Sequence, residues 1–152
     1  MDITHQQFTE AFHPQSVSVL GMVRDVGGVI GGGIRNSIMA KFVEDNLVVA
    51  LSCGESIINR LDEFEAEHCH TCSEDCGMIL RDDLAALVDG YTKLLEQHRR
   101  SGIAEALISR EEDLLDRLDN KLENYAFAAD SELRDLVRQV SAKYNSNANL
   151  QA

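Results

Sequence analysis

Tryptophan is absent, proline occurs once, and 14 Lys and Arg stand against 26 Asp and Glu. Each shortage excludes something. With Pro14 as the only proline, little of the chain is barred from helix, and the sequence reads as mostly helical. A formal net charge of −12 argues against a nucleic-acid binder, whose affinity rests on clustered Lys and Arg, and against adsorption to an anionic membrane surface. Long apolar runs are missing too. Uncharged stretches such as residues 26–34 and 46–54 fall well short of the ~20 residues a membrane-spanning helix needs. The start Met1-Asp2-Ile3-Thr4-His5 has no basic region and no apolar core of a signal peptide, so a cytoplasmic location is expected.

What is present is a knot of soft ligands. Three of the four cysteines and two of the five histidines fall within His68-Cys69-His70-Thr71-Cys72-Ser73-Glu74-Asp75-Cys76. Thiolate sulfur and imidazole nitrogen at that density suit zinc or an iron–sulfur cluster. In a reducing compartment, close-spaced cysteines bind metal or do redox work more often than they staple a fold. On a helix, 100° per residue brings Cys69, Cys72 and Cys76 within about 60° of arc, and His68 stands one turn before Cys72. The expected site is therefore zinc held by Cys69, Cys72, Cys76 and His68, with His70 as the other candidate for the fourth position.

An iron–sulfur cluster is the alternative cofactor, since the spacing matches part of a ferredoxin run but lacks one cysteine. A thiol switch at Cys69 and Cys72 is a third option. Glu65-x-x-His68 is a Glu-x-x-His pattern of the kind that di-iron bundles use in pairs. Cys53 stands apart in an apolar stretch, about 24 Å of helix from Cys69, and reads as a small hydrophobe rather than a ligand.

Helix signals place the knot. Thr4 with Gln7 forms a capping box and Ile3 with Phe8 a hydrophobic staple, so a short helix starts here and ends at His13-Pro14. Val17, Leu20, Val23, Ile30 and Ile34 fit a helical face, but five glycines in residues 27–33 weaken it. A loop or a close approach of backbones is expected there. A phosphate cradle is disfavoured, because neither the Walker spacing nor the dinucleotide fingerprint is present.

Leu47, Leu51, Gly54, Ile58, Leu61, Phe64 and His68 predict an amphipathic helix running into the knot. Thr71 and Glu74 open the next helix, carried by Leu80, Leu84, Leu87, Tyr91 and Leu94 to a break at Ser101-Gly102. A stripe of Leu114, Leu118, Leu122, Tyr125, Ala129, Leu133, Leu136, Val140 and Tyr144 predicts a long last helix. Residues 145–152 are polar and are expected to be a disordered tail.

The expected fold is an all-α helical bundle over residues 1–144, with a Cys/His-rich corner in a hairpin between two helices and a long C-terminal helix. The alternative is a small α/β N-terminal half plus helices, with Leu47-Val48-Val49-Ala50-Leu51 and residues 17–23 as strands. Function follows in parallel. The first reading is a metal-binding regulatory, sensing or assembly module working through protein contacts with a partner the sequence does not name. A redox or oxygen sensor is the second. An enzyme presenting Cys53 on a strand-to-helix turn is the third. The C-terminal stripe is longer than residues 80–98 can cover, which predicts a homodimer burying Leu133, Leu136 and Val140.

Overall fold

The computed structural model describes residues 3–68, 74–129, 139–140 and 142–143. Four helices make up the fold: α1 (His5–Gly31), α2 (Ser37–His68), α3 (Glu74–Ser101) and α4 (Ile108–Ala129), with one 3-10 turn at Glu105–Leu107 before α4. Among the described residues there is no strand.

α1 begins as its sequence dictates. The Thr4 hydroxyl accepts from the Gln7 amide at 3.1 Å, and the Gln7 side chain accepts from the Thr4 amide at 2.9 Å. It does not end at Pro14. The helix runs on for 27 residues with the proline inside it. A proline in a helix interior costs about 3 kcal/mol, through one lost hydrogen bond and a clash with the preceding turn. Here Pro14 and Glu10, whose carbonyl loses that bond, face solvent. Phe8 and Phe12 before it and Val19 and Val23 after it are all buried. Burial of each such side chain contributes roughly 1.5–3 kcal/mol, so the packed face outweighs the break.

The glycine segment is also helical as far as Gly31, which removes the loop and the phosphate cradle over that part. Close approach is the use found. A Cβ on Gly27 would lie 2.7 Å from the Gln97 side chain, and one on Gly31 would lie 3.1 Å from it. The turn follows at Gly33, whose φ of +90° suits glycine alone. Asn36 then caps α2, its side-chain oxygen accepting from the Met39 amide at 2.9 Å.

Both proposed strands are helix. Leu47, Ala50 and Leu51 are buried while Val48 and Val49 are exposed, a period of three to four rather than two. The β-branched residues favour strands only weakly, and the apolar periodicity overrides them.

α1 lies parallel to α3 in constant register: His13 meets Asp83, Leu20 meets Gly90, and Gly27 meets Gln97. α2 lies parallel to α4 in the same manner, with Glu55 on Arg110 and Asp62 on Arg117. α1 packs on α2 and α3 on α4, leaving α2 and α3 at diagonal corners. The expected hairpin is thus not one of neighbouring helices. The core between them is filled by the predicted stripe of α3, with Leu80, Leu84, Leu87, Tyr91 and Leu94 at most 1% exposed. Across that core the Tyr91 hydroxyl donates to the Ala50 carbonyl of α2. In α4, Leu114, Leu118 and Tyr125 are buried as the stripe requires, and Val140 beyond it is 60% exposed. Leu133, Leu136, Tyr144 and residues 145–152 lie outside the described residues.

Candidate metal centre and buried polar pairs

α2 ends at His68 and α3 begins at Glu74, so both helix ends that flank the knot lie at the end of the bundle where α1 starts at His5. His68 closes α2 and Cys76 is the third residue of α3; their side chains lie outside the described residues. Cys69, His70 and Cys72 lie wholly outside them, as does the Thr71 cap. Beside this end, Phe8 and Phe64 stack with ring centroids 4.0 Å apart, and His5 meets Phe64 edge-on at 4.9 Å. Among the described residues no cluster of three or more His, Cys, Asp or Glu is arranged to hold a metal.

Cys53 sits in mid-α2, half-buried against the core. The strand-to-helix turn that would present it as a nucleophile is absent, because α2 is one helix from Ser37 to His68. That continuity holds Cys53 about 22 Å from His68.

Two histidine–carboxylate pairs escape a reading of the sequence. His98 is completely buried and Glu111 is 2% exposed. His98 Nε2 faces the Ile103 carbonyl, which only accepts, so this nitrogen carries a hydrogen. Nδ1 faces Glu111 Oε2 across a single proton. With that proton on either partner the pair has no net charge. Burial pushes the Glu111 carboxyl above its ordinary value, against the pull of His98. The pair locks the end of α3 to the start of α4 across the turn at Gly102, whose φ is +68°. Its signal in the sequence is position: His98 continues the stripe of Tyr91 and Leu94, and Glu111 precedes Leu114 by one turn.

The second pair is half-open. His13 Nδ1 lies 2.7 Å from Asp83 Oδ1, with the histidine side chain 55% exposed and the carboxylate 8%. Burial holds Asp83 above the usual carboxylate range, opposed by His13. The two line a cavity of about 380 Å³ with Glu10, Pro14 and Ile79. A histidine oriented by a buried carboxylate can move a proton. The adjacent Thr9 hydroxyl, however, donates to the His5 carbonyl at 2.8 Å rather than to His13.

The seam between α2 and α4 is ionic. Arg110 grips Glu55 through two nitrogens and reaches the Ser52 hydroxyl. Arg117 pairs with Asp62 at 2.9 Å, and Lys121 bridges Asp62 and Glu65 at 2.7 and 2.8 Å. The Arg110 hydrogen bond holds Glu55 below its ordinary value. Burial works to raise Asp62, but Lys121 and Arg117 outweigh it and leave the carboxyl lowered. Burial likewise opposes the charge on Lys121, and its two carboxylates hold it raised.

A lowered acid contributes stability above its unfolded value, here 4.5 for Glu55 and 3.8 for Asp62, and loses it as pH falls through that value toward the folded one. Because partly exposed pairs are screened, Glu55→Gln and Asp62→Asn should each cost up to about 1 kcal/mol at pH 7, and a smaller amount near pH 3, where both groups have begun to protonate. Urea unfolding at the two pH values measures this. An equal cost at both would show that packing, not charge, holds the seam.

The chain matches no known protein family, no curated protein and no solved structure. Among the described residues, no helix is long and apolar enough to cross a membrane.

Proposed function

We propose that this protein is a zinc-binding helical bundle of the cytoplasm that acts as a regulatory or assembly module through protein contacts and self-association. The zinc ligands are Cys69, Cys72, Cys76 and His68. One observation carries the reading: the ligand-dense segment joins the ends of two helices, while the bundle core beside it is closed by leucine and aromatic packing. A metal there would tie together α2 and α3, which share few contacts of their own. The charge and the lack of a substrate motif favour protein contacts over nucleic acid or catalysis.

Protein purified without oxygen is expected to be colourless and to hold one zinc per chain by elemental analysis. Brown protein absorbing near ~400 nm would replace zinc with an iron–sulfur cluster and the module with a redox or oxygen sensor. Cys72→Ser should lose the metal and Cys53→Ser should keep it. Full retention in Cys72→Ser would remove the site. Chelation should raise hydrogen exchange first at the end of α2 and the start of α3, before α4 responds. Uniform deprotection along the chain would count against a local brace.

A further inference from the structure

We infer that the outer face of α1 and α2 is the seat of a second copy of this chain. The face is where an acidic protein carries least charge. Residues 11–54 carry six charged side chains, Arg24, Arg35 and Lys41 against Asp25, Glu44 and Asp45, which sum to no net formal charge. By contrast 10 of the 28 residues of α3 and 9 of the 22 of α4 are charged. The same face exposes large apolar groups: Ile38 is 80% exposed, Phe42 54% and Val49 49%. Between the helices, Met22, Val26 and Val29 of α1 and Phe42 and Val49 of α2, with Asp25 and Asn46 beside them, line a groove of about 190 Å³.

Two glycines agree with this. Gly21 and Gly28 lie two turns apart on the exposed side of α1, and a Cβ on either would meet nothing within 4 Å. Glycine weakens a helix relative to alanine, and no packing within the described residues requires these two bare positions. Bare backbone on a helix surface lets another backbone come close. They are therefore placed for an intermolecular contact, unlike Gly27 and Gly31, which seat Gln97.

Charge selects the occupant. Two chains of −12 repel wherever their acidic surfaces meet, and least where α1 and the first half of α2 carry no net charge. A basic partner would be drawn to the acidic α3 and α4 surfaces instead. A face with as many basic as acidic side chains meets its own kind without net repulsion, and a two-fold, isologous dimer is the simplest closed solution. The inference rests on the self-association proposed above and places it here rather than on the C-terminal stripe.

Sedimentation of the full chain from about 1 to about 100 µM tests it, with melting temperature followed at the dilute end. Phe42→Asp and Val49→Asp should weaken the dimer at least about tenfold without lowering the dilute melting temperature. Gly21→Ala with Gly28→Ala should raise the dilute melting temperature and weaken association, two effects of opposite sign that a structural role does not produce. Asn120→Asp on α4 and Leu136→Asp should leave the dimer intact. A dimer lost in Leu136→Asp but kept in Phe42→Asp would overturn the face while self-association stands. Wild-type protein monomeric throughout the range would overturn both. Zinc content, measured in the same samples, reports the metal site separately.

Discussion

Gly54→Ala should destabilise the bundle by about 2–4 kcal/mol, although helix propensity alone favours alanine by about 1 kcal/mol. A Cβ at this position would lie 2.3 Å from the Tyr91 hydroxyl oxygen and 2.8 Å from Leu114 Cδ2. All three residues are in the core, where Tyr91 is 1% exposed and Leu114 1%, so neither side chain has room to retreat. The methyl would also push the Tyr91 hydroxyl from the Ala50 carbonyl, leaving a buried donor unpaired at a further cost of about 1–3 kcal/mol. Urea unfolding followed by circular dichroism gives the number.

A double-mutant cycle isolates the cause. Tyr91→Phe alone should cost about 1 kcal/mol, because the Ala50 carbonyl keeps its helical bond. In that background Gly54→Ala should cost markedly less, with the remainder owed to Leu114. Equal costs in the two backgrounds would show that the Tyr91 hydroxyl is not what Gly54 makes room for.

The second large effect is expected at the buried histidine. His98→Leu should destabilise by about 3–5 kcal/mol, since it leaves the buried Glu111 carboxyl without its hydrogen-bonded partner. Glu111→Gln should cost less than about 1.5 kcal/mol. The glutamine amide donates to Nδ1, and a neutral His98 keeps its Nε2 hydrogen on the Ile103 carbonyl, so each hydrogen bond survives. Thermal unfolding of the two variants decides the matter. A severe Glu111→Gln defect would mean that the pair needs full charge separation rather than one shared proton.

Much of the bundle is legible from spacing. The Thr4 capping box, the stripe from Leu80 to Leu94, the run from Leu47 to Phe64 and the break after Ser101 all stand where local chemistry puts them. Pro14 and the glycines of residues 27–31 mislead, because both are strong local signals that packing overrides. The proposed metal ligands Cys69, Cys72, Cys76 and His68 are read from residue type and spacing, and their geometry lies outside the described residues.

The sequence by itself determined that the chain is helical, which face of α2, α3 and α4 is apolar, and that cysteines and histidines gather between the second helix and the third. Those properties depend on neighbours three and four residues away, which the chain displays directly. Tertiary structure alone decided which helix meets which. An apolar stripe specifies that a face is buried but not its partner, so the diagonal placement of α2 and α3 is invisible in the spacing. The same holds for single positions. In the sequence Gly54 is a weak point in a helix and His98 a polar intruder on an apolar stripe. Only the fold supplies the Tyr91 hydroxyl that fills the first and the Glu111 carboxyl that satisfies the second.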